Sequence, residues 1–124
     1  MIDLSKLDNG LRDFGLALEG GKNILEEFTA LYDLCLKMIQ QYLEESSINP
    51  GEIELLEFNQ IIRNAYAMAI ISEELATWKS YQNYRDHIVS KRKTDEDSMK
   101  IMRGFLHEAG YLASQLKERV KNLE

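Results

Sequence analysis

One proline, one cysteine and seven glycines are spread over 124 residues, and this scarcity removes several fold classes at once. A sandwich or barrel of short strands needs a turn roughly every ten residues, built from glycine, proline and small polar side chains. An all-β fold is therefore excluded. Cys35 has no second cysteine to bridge and sits in Leu34-Cys35-Leu36, where it reads as a small buried hydrophobe. Apolar runs such as Ala65 to Ile71 fall far short of the ~20 residues that cross a bilayer. The opening Met1-Ile2-Asp3-Leu4-Ser5-Lys6 lacks the basic start and apolar core of a secretory leader, so a cytoplasmic protein without membrane contact is expected.

Positive charge is also short. Fifteen Lys and Arg against 21 Asp and Glu leave a formal net charge of -6, so the molecule as a whole repels duplex DNA and acidic membranes. Lys91-Arg92-Lys93 is the one basic run that could meet nucleic acid locally. The simpler reading of these cations is that they close a helix, where they complement the negative end of its dipole. Gly20-Gly21 has no preceding strand of the kind a phosphate loop needs. Metal sites in bundles use Glu-x-x-His or histidines one turn apart. Here Tyr84 precedes His87 and Gly104 precedes His107 at that spacing, so no metal or other cofactor is expected.

What the chain does have is enough apolar residue, 44%, for a single core, arranged at helical spacing over residues 1–124 as one domain. Leu4, Leu7, Leu11, Phe14 and Leu18 form the stripe of a first helix, which Gly20-Gly21 ends. Asn23 followed by Glu26 predicts a capped second helix with a wide apolar seam through Ile24, Phe28, Leu31, Cys35, Met38 and Tyr42. Asn49-Pro50 and Glu52 predict entry to a third helix running to about Ile70. Its apolar positions include Leu55, Phe58, Ile62, Ala65 and Ala69. Ser72 is the expected cap of a fourth, marked on one side by Leu75, Trp78, Tyr81, Arg85 and Ile88. Thr94 with Asp97 is the expected cap of a fifth, whose seam runs from Met102 and Phe105 to Leu123. Gly104 and Gly110 inside that helix each cost ~1 kcal/mol against alanine, which suggests close packing at both. The expectation is an all-α, antiparallel up-and-down bundle of four to five helices.

Chemistry is concentrated in Tyr81-Gln82-Asn83-Tyr84-Arg85-Asp86-His87. Asn83 and His87 are four apart and so stand one above the other, on a helix face shared with Ala76 and Ser80. A small, polar stripe of this kind suits a cleft or a subunit contact, where a histidine can move protons. Taken without context, the simpler reading is a histidine that bonds a neighbour or faces water.

The order of these pieces along nearly the whole chain resembles the nucleotidyltransferase substrate-binding protein family, a branch of the HEPN superfamily of small helical bundles. The matching segments are Glu27-Phe28 through Lys37 to Tyr42-Leu43, then Pro50-Gly51-Glu52, then Arg63-Asn64-Ala65, then Trp78. The family's Arg-Asn-x-x-x-His element falls on Gln82-Asn83-Tyr84-Arg85-Asp86-His87. Asparagine and histidine match, but Gln82 stands in the arginine position, and Val89 stands where a tyrosine often follows the histidine.

In HEPN ribonucleases that arginine stabilises phosphate charge while the histidine handles protons, and Gln82 offers no cation for the role. Arg85, about 200° around the helix from His87, is a poor substitute. The resemblance thus implies a homodimeric, non-catalytic accessory subunit, of substrate-binding or toxin–antitoxin type, that partners a small nucleotidyltransferase. Gln82, Asn83, Arg85 and His87 are its candidate RNA- or nucleotide-contacting residues. The alternatives are a metal-independent ribonuclease with His87 and Asn83 as candidate catalytic residues, or a plain helical adaptor.

Overall fold

Apolar spacing dictates helices and the helices dictate the layers. The computed structural model describes residues 3–46, 58–72, 75–92 and 94–123, and within these there are five helices and no strand. They are α1 (Ser5–Gly20), α2 (Ile24–Ser46), α3 (Phe58–Ala67), α4 (Leu75–Lys91) and α5 (Glu96–Leu123). The expected start of α3, with Leu55 and Pro50-Gly51-Glu52, lies outside the described residues.

Contacts across the helix pairs fix their directions. A Cβ on Gly10 of α1 would stand 3.3 Å from Leu31 of α2, while Phe14 stacks on Phe28 at 5.7 Å, so the two helices run antiparallel. Asp8 meets Lys117 at 2.8 Å, and a Cβ on Gly15 would lie 3.9 Å from Leu106, which sets α5 antiparallel to α1. On the other side of α2, Glu26 meets Arg92 and Asp33 meets Arg85, which makes α4 antiparallel to α2. The result is the all-α bundle that the spacing predicted.

The core is aromatic at its centre. Phe105 of α5 has ring neighbours at 5.4 Å (Phe28), 5.5 Å (Tyr32), 5.5 Å (Tyr81), 6.0 Å (Trp78) and 6.4 Å (Phe14). Leu7, Ile39, Ile62, Ile88, Met102, Leu112 and Leu116 close round this cluster. Aromatic pairs at such separations add about 0.5–1.5 kcal/mol each beyond the apolar area they bury, so Phe105 ties α1, α2 and α4 to α5.

Helix ends differ from the sequence expectation in three places. α1 ends as predicted: Gly21 takes φ 73° and its N–H bonds the Ala17 carbonyl at 2.8 Å. Asn23, the expected cap of α2, has φ 58° rather than the extended backbone of an N-cap. Glu26 does not complete a capping box either; its carboxylate accepts from its own amide and from Arg92, which hold it below the usual carboxylate range.

α3 stops at Ala67, before the expected Ile70, because Ala69 turns left-handed at φ 58°. The Ile70 amide then reaches the Ala65 carbonyl at 2.8 Å and the Ala69 amide reaches Tyr66 at 2.9 Å. This pair of bonds is a Schellman closure. It takes Ala69 off the apolar face and leaves it exposed. Arg119 of α5 adds a hydrogen bond to the Met68 carbonyl, placing a cation at the negative end of α3.

Asp95, not Thr94, caps α5: its Oδ1 accepts from the Ser98 amide at 2.9 Å. Ser72, the expected cap of α4, donates its hydroxyl to the buried carboxylate of Glu108 on α5, and residues 73 and 74, which would complete that cap, lie outside the described residues. Of the two glycines in α5, Gly104 meets a close neighbour, since a Cβ there would lie 3.4 Å from the Tyr81 hydroxyl. Gly110 has nothing within 4 Å, so close packing does not explain it.

Candidate functional site

α4 is held by one side and offers the other. Trp78 and Ile88 are buried against the core, with Tyr81 and Arg85 half-buried on the same side. Ala76, Ser80, Asn83 and His87 are all exposed, so the polar stripe read from the four-residue spacing faces out of the described bundle. Gln82 is half-buried beside it. The position that would carry the arginine holds a neutral amide, and the cation one turn from His87 along the stripe is the ammonium of Lys91.

Arg85 points elsewhere. Its Nη1 meets Asp33 of α2 at 2.6 Å, its Nε and Nη2 meet Asp86 at 3.2 and 3.1 Å, and its guanidinium carbon lies 4.7 Å from the centre of the Tyr32 ring. All three nitrogens are engaged with carboxylates. The guanidinium also has an aromatic face, the geometry in which arginine outperforms lysine. Burial pushes the Tyr32 hydroxyl pKa up, and the Arg85 charge partly opposes that rise. The structure therefore separates the four candidate residues. Asn83 and His87 share an exposed stripe, Gln82 borders it, and Arg85 ties α4 to α2.

A groove of about 420 Å³ lies on the α2–α4 side and is lined by Thr29, Asp33, Arg85, Asp86, Val89 and Ser90. Tyr32 and Asp33 were missed by the sequence reading. Tyr32 falls one turn after Phe28 and so belongs to the seam, which was signal enough. Asp33 gives no such signal, because its partner lies 52 residues away. At the far end of α4, Lys91 sits in the last turn and Arg92 pairs with Glu26 at 3.3 Å, both groups well exposed. Lys93 lies outside the described residues.

Tyr84, the hydroxyl nearest the place of the missing tyrosine, is 43% exposed, whereas Val89 is half-buried in the α2–α4 groove. Among the described residues, no group of three or more His, Cys, Asp or Glu side chains is placed to hold a metal ion. No helix among them is long and apolar enough to cross a membrane.

No family model matches the chain. A Haemophilus influenzae protein named Probable ribonuclease HepT is 30% identical over 98 residues, which is 77% of this chain and 66% of the relative. The chain thus spans just under two thirds of that relative's length. A solved Haemophilus influenzae structure, described as revealing the fold of a substrate-binding domain of a nucleotidyltransferase, superposes with a TM-score of 0.79 at 23% identity. The superposition covers 93% of this chain and 99% of that one, and shows that the two share a fold. The sequence match and the shared fold agree with the resemblance, read from the order of the motifs, to the nucleotidyltransferase substrate-binding proteins among HEPN-type bundles.

Proposed function

We propose that this protein is a non-catalytic accessory subunit of a small nucleotidyltransferase, and that it self-associates through the outer stripe of α4. The observation that carries the reading is the stripe itself. Asn83 and His87 stand exposed on a face of small polar residues, while the neighbouring position that phosphate chemistry needs as a cation is Gln82. A face of small polar side chains, bounded by Lys79 and Lys91 one turn to either side of Asn83 and His87, is suited to contact with another chain. It is poorly suited to stabilising a phosphorane-like transition state, which calls for preorganised positive charge. The fold shared with a structure described as a nucleotidyltransferase substrate-binding domain supports the same partner class.

The test is co-expression with a small nucleotidyltransferase from the same host, followed by light scattering of the purified material. A stable complex containing two or more copies of this chain is expected. A monomer that ignores the nucleotidyltransferase would defeat the reading and favour a plain adaptor.

A metal-independent ribonuclease is the second reading, supported by the exposed imidazole of His87 and by the name of the Haemophilus relative. Cleavage of RNA in EDTA that disappears in His87→Ala would place it first. In either case the protein works in the cytoplasm, alongside its RNA or nucleotide ligands.

A further inference from the structure

The outer side of α5 carries positive charge that no acid of this chain answers. Lys100, Arg103, His107 and Tyr111 recur at three- and four-residue steps, so they stand along one line of the helix, and all four are exposed. The line is roughly 16 Å long at ~1.5 Å per residue. Between Asp97 and Glu118 the one acid of α5 is Glu108, which is buried. Arg85, Arg92 and Lys117 each pair with a carboxylate of another helix, whereas neither Lys100 nor Arg103 has one within ion-pair distance among the described residues.

Aromatic side chains border this strip. Tyr111 is 37% exposed and Tyr84 43%, and they are two of the four large hydrophobic side chains that stand exposed among the described residues. Tyr84 and Lys100 line one groove between α4 and α5, together with Ile101 and Gly104. Tyrosine and arginine are enriched where one protein grips another, and a tyrosine covers a wide area for two frozen torsions. A strip of about 16 Å by 10 Å is too small for a stable contact alone, so a partner seated here also covers the α4–α5 groove as far as Tyr84.

Charge selects the kind of partner. Nucleic-acid binding grows from about one counterion released per phosphate neutralised, so two unpaired cations offer little against the repulsion of a chain of net charge -6. A folded protein needs only a few carboxylates opposite Lys100 and Arg103, and complementary charge of this sort speeds docking and fixes the register. We infer that the outer side of α5 from Lys100 to Tyr111, with the groove up to Tyr84, is the docking surface for a protein partner that presents carboxylates. The partner's identity rests on the accessory-subunit reading, under which it is the small nucleotidyltransferase. The Asn83/His87 stripe stays available for self-association.

The test measures the affinity of the full-length chain for the co-expressed nucleotidyltransferase by calorimetry. Lys100→Glu combined with Arg103→Glu should weaken the complex about a hundredfold, and Tyr111→Ala about tenfold. Lys22→Glu combined with Lys37→Glu, which makes the same change of net charge elsewhere on the surface, should leave the affinity within about twofold. Treating the parent complex with a carbodiimide, which joins an amine to a carboxylate in contact with it, should link Lys100 to an Asp or Glu of the partner. Light scattering should show unchanged self-association in the charge-reversed chain.

A parent chain that does not bind the nucleotidyltransferase would remove the accessory-subunit reading and this inference together. Binding that survives the reversal of Lys100 and Arg103, or cross-links confined to lysines off the strip, would remove the inference alone. Loss of self-association in the charge-reversed chain would make the strip a contact between copies. Loss of RNA binding with the nucleotidyltransferase complex intact would give it to nucleic acid, and either result overturns the proposal.

Discussion

The guanidinium of Arg85 lies over the ring of Tyr32, 4.7 Å from its centre, while the same group reaches the neighbouring Asp33 at 2.6 Å. One side chain of α4 thereby engages two successive residues of α2 and acts with the buried Trp78 and Ile88 to set the roll of α4 about its own axis. That roll is what turns Asn83 and His87 outward.

The first prediction follows from this contact. Both carboxylate partners are mostly exposed, with Asp33 at 61% and Asp86 at 65%, so the ion pairs themselves contribute little. The arginine side chain is only 22% exposed, so its stacking on Tyr32 counts for more. Arg85→Met should lower stability by about 1–2 kcal/mol, and Arg85→Lys should recover less than half of the loss. Urea denaturation measures both. A fully restored Arg85→Lys would mean that charge, not stacking, makes the contact.

Ala69 supports a prediction of the opposite sign. A left-handed alanine costs ~1–2 kcal/mol, and glycine at the same place gives back ~0.4–1 kcal/mol through its freer unfolded chain. Ala69 is exposed, so its methyl loses no packing. Ala69→Gly should therefore stabilise the protein by about 0.5–1 kcal/mol, seen as a higher melting temperature. A lower melting temperature would mean that the Schellman turn after α3 is not populated.

The cap of α5 separates what was legible in the sequence from what was not. Thr94 and Asp95 are adjacent residues of cap type, and only backbone geometry decides between them. The Ser98 amide bonds Asp95, so Asp95→Ala should cost ~1 kcal/mol while Thr94→Ala should be close to neutral. Chemical denaturation of the two variants distinguishes them.

The same contrast runs through the molecule. Apolar spacing located the helices and their buried seams, because the seam from Phe105 to Leu116 is written at every third or fourth residue. Ala69 looked like the next step of such a seam, and no local signal warns that alanine will take a left-handed turn. The exposed placement of Asn83 and His87 was readable because both lie on one short helix face. Arg85 was not readable, since its assignment to Asp33 depends on which face of α2 comes opposite.

Cys35 and Tyr32 predict an alkaline limit to stability. Burial pushes both pKa values up, so both groups stay protonated in the folded protein where the unfolded chain ionises. Below a pH of about 8.5 the full contribution is present. As the pH rises further the unfolded state binds fewer protons than the native one, and stability falls. The slope should approach ~1.4 kcal/mol per pH unit from Cys35 alone, and steepen above about pH 10 as Tyr32 joins. Cys35→Val should remove the first part of the slope and leave the second, as followed by the urea midpoint from pH 7 to 10.5. A parent protein with a flat profile over that range would contradict the buried placement of both groups.

The last prediction concerns the missing cation. On the accessory-subunit reading, the protein as it stands should leave RNA intact in EDTA, because Gln82 offers no guanidinium beside the histidine to hold a phosphate. Gln82→Arg supplies that neighbour on the flank of the exposed stripe, where Gln82 is only half-buried and a longer side chain can reach solvent. Cleavage should then appear above background, and adding His87→Ala should abolish it. Gln82→Lys should do less, since a point charge does not present the planar pair of donors that a phosphate accepts. If Gln82→Arg stays inert while remaining folded and self-associated, the loss of activity involves more than one residue, and α4 has been remodelled as a contact surface beyond the change at Gln82.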